Sequence, residues 1–217
     1  MKRECLPEIL DSLPPGHPEA VRNRRDLRVI NTVMGNRRWF ARSLAQVRRP
    51  GERVLEVGAG TGELGIELFR KGQPVDGLDL WPRPKDWPGP CAWHQSDLKA
   101  FARYGDYDIV LGNLIFHQFE DADLERLGRV LSPRIRALVA CEPLRRRLSQ
   151  RMMAAFGPLF GASKVTLHDS RVSITAGFVS DELSRAFGMS EDAWNVTFTT
   201  SALGAYRMVA VRRTPSP

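Results

Sequence analysis

Residues 54–65 read VLEVGAGTGELG, a short apolar strand carrying an acid at Glu56 and then glycine at Gly58, Gly60 and Gly62. A strand that stops at alternating glycines usually cradles a nucleotide, because backbone without Cβ atoms can approach the ligand closely. A phosphate-cleaving loop needs Lys and Ser/Thr after its last glycine, and here Glu63 and Leu64 follow. A dinucleotide fingerprint needs a third glycine at position 63, where the chain has glutamate. Glu56, just ahead of the loop, would also repel a pyrophosphate. The loop is therefore suited to a ligand that brings positive charge to Glu56.

Helix-like and strand-like patterns alternate around this loop. "LGIELFRKG" reads as a helix ending at Gly72, "PVDGLDL" as a strand, and "WPRPKDWPGP" as a turn. "CAWHQSDL" gives a short strand. "YDIVLGNLIFH" and "RALVACEP" are nearly continuous apolar runs, as expected of parallel strands buried on both faces, with the helical "LERLGRVL" between them. Beyond Pro143 the pattern predicts a helix in "LRRRLSQRMMAAFG", a short helix capped by Ser180, and a hairpin in "WNVTFTTSALGAYRMVAVRR". The expectation is an α/β Rossmann-like, doubly wound sheet of about seven strands, mostly parallel, closed by a C-terminal antiparallel hairpin. Ahead of it, Leu27, Ile30, Val33, Met34, Phe40, Leu44 and Val47 recur at helical spacing around Gly35 and Asn36. Residues 1–50 are thus expected to form an N-terminal helical lid, and residues 51–217 one globular domain.

S-adenosylmethionine (SAM) answers the charge requirement, since its amino acid end carries an ammonium and its sulfur a positive charge. Asp79, which ends "GLDL" 17 residues past Gly62, is placed to accept hydrogen bonds from both ribose hydroxyls. Asp97, one strand later in "QSDL", is placed for the adenine amine. In these motifs residues 52–142 resemble the class I SAM-dependent methyltransferases. "VLEVGAGTG" stands as the first motif, "GLDL" as the ribose acid, "SDL" as the adenine contact and "YDIVLGNLIFHQF" as the fourth strand. The resemblance implies that Glu56, Gly58, Gly60, Gly62, Asp79, Leu80, Asp97, Leu98 and Asn113 line the cofactor. It implies SAM as donor, S-adenosylhomocysteine (SAH) as product, and no metal.

Methyl transfer is an in-line displacement at a sulfonium, so alignment supplies much of the catalysis. A base helps an oxygen acceptor. His117, in "NLIFHQF" at the carboxyl edge of the sheet, resembles the "LHH" of small-molecule methyltransferases with Gln118 in place of the second histidine. Its alternatives are base, substrate contact or pocket wall. In "LHDSRVSITAGF", His168, Asp169 and Arg171 precede an alternating stretch and mark either an active-site edge or plain surface. "NTVMGNRRWF" is similar to the segment before the first motif in quinone-biosynthesis C-methyltransferases, with Asn31 and Gly35 more closely spaced. Asn31, Arg38 and Trp39 are thereby expected either to close over the site or to pack the lid on the body.

The acceptor expected from this resemblance is a small apolar molecule, such as a phenol, quinone precursor or polyketide, methylated at oxygen or carbon. Adenine amino-methylation would favour Asn-Pro-Pro-aromatic after the fourth strand, where the chain has Asn113, Leu114, Ile115 and Phe116. Cytosine C-methylation would need a Pro-Cys there. Both signatures are missing, and Ile115 and Phe116 suit an apolar acceptor. The net charge of +7 resides almost wholly in residues 1–50, which hold 11 Lys/Arg against 5 Asp/Glu. That basic leader leaves open an RNA methyltransferase or a peripheral membrane contact. A catalytically inactive SAM-binding partner is the other alternative. Three widely spaced cysteines, the lack of an apolar core behind the first basic residues, and no membrane-length apolar run point to the cytoplasm.

Overall fold

In the computed structural model, which describes residues 1–14 and 16–214, strand β1 (Val54–Val57) is buried along its whole length. It lies between β2 (Asp76–Asp79) and β4 (Ile109–Asn113), parallel to both, with Leu55 opposite Asp76 and Val54 opposite Ile109. β3 (Trp93–Gln95) extends the sheet beyond β2, and β5 (Ala137–Pro143) pairs in parallel with β4. The hairpin β6 (Trp194–Thr200) and β7 (Ala205–Arg212) is antiparallel, giving seven strands in the order β3-β2-β1-β4-β5-β7-β6. The order reverses between β1 and β4. Beyond the carboxyl ends of strands flanking such a reversal, an open α/β sheet leaves a crevice.

Alternate side chains of each central strand enter separate cores. Leu55, Val57, Val110 and Leu138 meet α4 (Asp121–Leu131) and α7 (Glu182–Ala186) through Leu124, Leu127 and Leu183. On the other face Val54, Ile109, Leu111 and Val139 meet α2 (Asn36–Val47) and α3 (Glu63–Arg70) through Phe40, Leu44, Leu64 and Leu68. Because Phe40 and Leu44 are wholly buried, α2 is a body helix. The 1–50 lid expected from sequence therefore divides. Only α1 (Pro18–Val33) and the irregular residues ahead of it cross the edge of the sheet, and the last three residues of the expected 51–217 domain lie outside the described residues.

Two local expectations are corrected. "VSITAGF" belongs largely to helix α6 (Lys164–Ala176), which follows α5 (Arg147–Phe156) and is capped by Ser163, whose hydroxyl oxygen accepts from the Thr166 amide at 3.0 Å. Thr166, Asp169, Val172, Ile174 and Ala176 are its buried residues, and all but Ile174 follow a spacing of three and four that the apparent alternation of the apolar residues concealed. Ser180 does not cap α7. Asp181 takes the N-cap position, and Ser180 adopts a positive φ of 49° with its carbonyl bound by the Tyr206 hydroxyl at 2.9 Å.

Candidate active site

The glycine loop turns at the carboxyl end of β1 through positive φ values of 64°, 55° and 77° at Gly58, Gly60 and Gly62. A side chain would be strained at each of them. Close approach matters as well, since a Cβ on Gly58 would come within 2.5 Å of the Ile115 side chain. The loop after β4 thus rests on the loop after β1. Asp79 ties the ends of two strands together, accepting from the Gly60 amide at 2.7 Å and from the Trp81 amide at 2.9 Å. Beside it Leu80 and Trp81 are exposed, an apolar surface next to the carboxyl end of β2.

Glu56 points to the face covered by α3 and is buried, with Oε2 lacking a hydrogen-bond partner among the described residues. Burial pushes its carboxyl up to about 8 against the lowering effect of the Gly65 backbone amide, and the nearby charges of Asp79 and Glu63 add to the rise. Asn113 Oδ1, at the end of β4, is a second buried acceptor without a donor among the described residues. Unpartnered buried acceptors are costly. These two fit a ligand that brings an ammonium and further donors between β1 and β4. Asp97 is exposed and accepts from the Lys99 amide at 2.7 Å. Leu98 contributes its side chain to the core, and its carbonyl receives the Tyr104 hydroxyl at 2.7 Å.

Helix α1 spans the carboxyl edge of the sheet. Asn31 Oδ1 accepts from Asn36 Nδ2 at 3.0 Å and from Asn113 Nδ2 at 3.4 Å, so Asn31 reaches the end of β4. Arg28 pairs with Glu63 at 3.3 Å, and the Arg24 guanidinium lies 5.5 Å from the Trp81 ring centre. Toward the other end, buried Asp26 accepts from the Ser163 amide at 3.0 Å and the Thr166 hydroxyl at 2.7 Å. Trp39 stacks edge-on with Phe40 at 4.9 Å under the Arg207 guanidinium, which fastens α2 to β7. Arg38 is exposed on α2.

His117 lies in a 3-10 turn, Phe116–Gln118, after β4, and is buried. Its Nδ1 is 2.7 Å from Glu142 Oε2, and its Nε2 faces Glu8 Oε1 at 3.6 Å. Burial alone would lower its pKa, yet the hydrogen bond to Glu142 and the Glu8 carboxylate 3.6 Å away raise it to about 9. Both ring nitrogens face carboxylates, so of the alternatives base, substrate contact or pocket wall, the ring does not stand as a free base in this arrangement. Phe116 is also corrected. It is wholly buried, packed edge-on against Phe187 at 5.1 Å, and so belongs to the core rather than to an acceptor wall.

His168, Asp169 and Arg171 sit on α6, not on an extended edge. Asp169 accepts from the Ile9 amide at 2.8 Å, the Leu10 amide at 3.1 Å and Asn23 Nδ2 at 3.3 Å. His168 Nδ1 lies 3.1 Å from the same carboxylate, with its ring half exposed, and Arg171 is exposed. Asp169 thereby anchors the N-terminal strap, and its hydrogen-bond partners are His168, α1 and the strap. Two carboxylates at the site escaped the sequence reading. Glu142 had a signal, an acid ending the apolar strand "ALVACE" as Asp79 ends β2, whereas nothing local in "LPEIL" marks Glu8.

No family model matches the chain. The magnesium-protoporphyrin O-methyltransferase of Rhodobacter capsulatus is 30% identical over 93 residues, covering 38% of this chain and 39% of that protein's length. Among solved structures, the plantazolicin methyltransferase BpumL in complex with SAH superposes with a TM-score of 0.70 at 12% identity, over 94% of this chain and 93% of that one. The methyltransferase domain of bacterial CtHen1-C gives 0.60 at 16% identity, over 82% and 97%. Magnesium protoporphyrin IX methyltransferase from Synechocystis PCC 6803 with bound SAH gives 0.51 at 16% identity, over 94% and 91%. With the strand order, the glycine loop and Asp79 in place, these likenesses show that the chain has the Rossmann-like fold of the class I SAM-dependent methyltransferases.

Proposed function

We propose that the protein binds SAM between β1, β2 and β4 and transfers its methyl group to oxygen or carbon of a small, largely apolar acceptor, such as a phenol, quinone precursor or polyketide. The observation that carries the reading is Glu56. A buried carboxyl with an unpartnered oxygen at the glycine loop is poorly explained by folding alone and well explained by a cationic ligand. SAM supplies an activated methyl on a sulfonium, and transfer leaves the neutral thioether SAH. The chain contributes backbone at Gly58, Gly60 and Gly62, the Asp79 carboxylate for the ribose, and Asp97 for the adenine amine. Leu80 flanks the base, the Leu98 backbone lies beside Asp97 with its side chain in the core, and Asn113 completes the donor side. Asn31 and the rest of α1 limit entry of water over the reacting centre.

Arg3, Arg28, Arg37 and Arg48 are engaged with the chain's own carboxylates or carbonyls, with Arg28 still half exposed, so part of the leader's charge serves the fold. Among the described residues no helix is long and apolar enough to cross a membrane. Incubation with methyl-labelled SAM and cell extract separated into small-molecule, lipid and RNA fractions tests the reading. Label in the small-molecule or lipid fraction is expected. Label confined to RNA would replace the acceptor class, and bound SAM with no labelled fraction would favour the inactive binding partner.

A further inference from the structure

The residues before α1 run as a strap across the loop that follows β4. Arg3 donates to the Phe119 carbonyl at 2.6 Å, to the Ala176 carbonyl at 2.9 Å and to the His117 carbonyl at 3.4 Å, and its guanidinium stands 4.7 Å from the Phe178 ring centre. Asp169 holds the amides of Ile9 and Leu10. Between these anchors Glu8 is delivered to His117, and its Oε1 also receives the Ser173 hydroxyl. From the opposite side Glu142, wholly buried, accepts from three successive amides, Ile115 at 3.1 Å, Phe116 at 2.9 Å and His117 at 3.3 Å, besides His117 Nδ1. The loop so gripped includes Leu114 at a positive φ of 56° and Ile115 against Gly58. A loop with that backbone conformation persists only where its surroundings over-determine it.

We propose that Glu8 and Glu142 are positioning residues that clamp His117 from two sides and thereby fix the loop between β4 and α4 against the donor cleft. The functional weight of the clamp rests on the SAM reading above, but the clamp itself is a matter of this chain's own groups. The charged groups that face His117 are Glu8 from the strap and Glu142 from β5. Glu120 shares the small cleft lined by Cys5, Leu6 and Val172; Arg3 binds the His117 carbonyl, and His168 on α6 faces Glu8. Burial alone would raise the Glu8 carboxyl, but its ion-pair contact with His117 and the hydrogen bond from Ser173 outweigh burial and hold it below the usual carboxylate range. While Glu8 is seated, His117 Nε2 is directed at a carboxylate of the protein.

The test uses the full chain with isotopically labelled histidine, following the His117 ring by NMR from acid to alkaline pH in wild type, E8Q, E8D and E142Q. The expected wild-type midpoint is near 9. E8Q should lower it by about one unit or more, as for loss of an adjacent opposite charge, with E8D restoring part of the shift and His17 and His94 unmoved. E142Q should lower it further if it folds; the E8Q result stands without it. SAM affinity, measured separately by calorimetry, should change less than about twofold in E8Q, while label transfer to the acceptor fraction falls several-fold. An unchanged His117 titration in E8Q would overturn the clamp. Absence of SAM binding in wild type would overturn the donor reading, while the His117 titration in E8Q would still decide for or against the clamp.

Discussion

The charge state of Glu56 offers the most direct test of what the cleft binds. With its carboxyl pushed up to about 8 by burial, most of the ligand-free protein carries it neutral at pH 7. A bound ammonium would hold the carboxylate ionised, so binding must release a proton across the range below that pKa. The ionised fraction rises from about 0.3% at pH 5.5 to about 9% at pH 7, a factor of about 30 or about 2 kcal/mol. SAM affinity should strengthen by that factor over the window, in which the ligand's own ammonium stays protonated. Calorimetry in two buffers of different ionisation enthalpy should show uptake by buffer of about one proton per SAM bound at the acid end. Glu56→Gln should abolish both the slope and the proton release. A flat wild-type profile, or a slope that survives in Glu56→Gln, would refute the assignment of Glu56 to the ligand's ammonium. The sign for stability runs the other way. Because the folded pKa lies above the unfolded value of 4.5, the ligand-free fold loses stability as pH rises from about 4.5 to about 8. Over that range Glu56→Gln should become progressively more stable than wild type by thermal melting.

Two further perturbations follow from the geometry. Asp79→Ala removes the acceptor of the Gly60 and Trp81 amides and the proposed ribose contact, and should weaken SAM by about 1 to 3 kcal/mol in calorimetry; unchanged affinity would take Asp79 out of the site. Gly128→Ala would set a Cβ 2.6 Å from Phe187 Cα, a backbone atom that cannot swing aside. A loss of about 1 to 3 kcal/mol in denaturant unfolding is expected, and an unaltered midpoint would mean that α4 and α7 are not in contact as described.

Much of the fold could be read from short-range pattern. The apolar runs of β4 and β5 could be strands only if both faces were covered, and the glycines after β1 required backbone that side chains rarely adopt. The placement of Glu56 and Asp79 beside those glycines was readable for the same reason, since it depends on local chain geometry. The sequence erred where a pattern was compatible with two periods. Val172, Ile174 and Ala176 alternate in sequence, yet the stripe from Thr166 to Ala176 sets the helix once Asp169 has the strap to bind. It erred again in treating residues 1–50 as one unit, because nothing in the helical spacing of Phe40 and Leu44 tells which surface those side chains will cover.

Residues 54–65 by themselves marked a strand that turns into a helix through alternating glycines, and set Glu56 beside the loop, because these groups act through their immediate neighbours. Tertiary structure alone decided the state of His117. Its partners, Glu8 and Glu142, stand 109 residues before it and 25 after it in the chain. Only the packing of the strap and β5 against one loop brings two carboxylates to a single buried ring, and a proton's location there depends on how far apart those charges lie and how little water separates them.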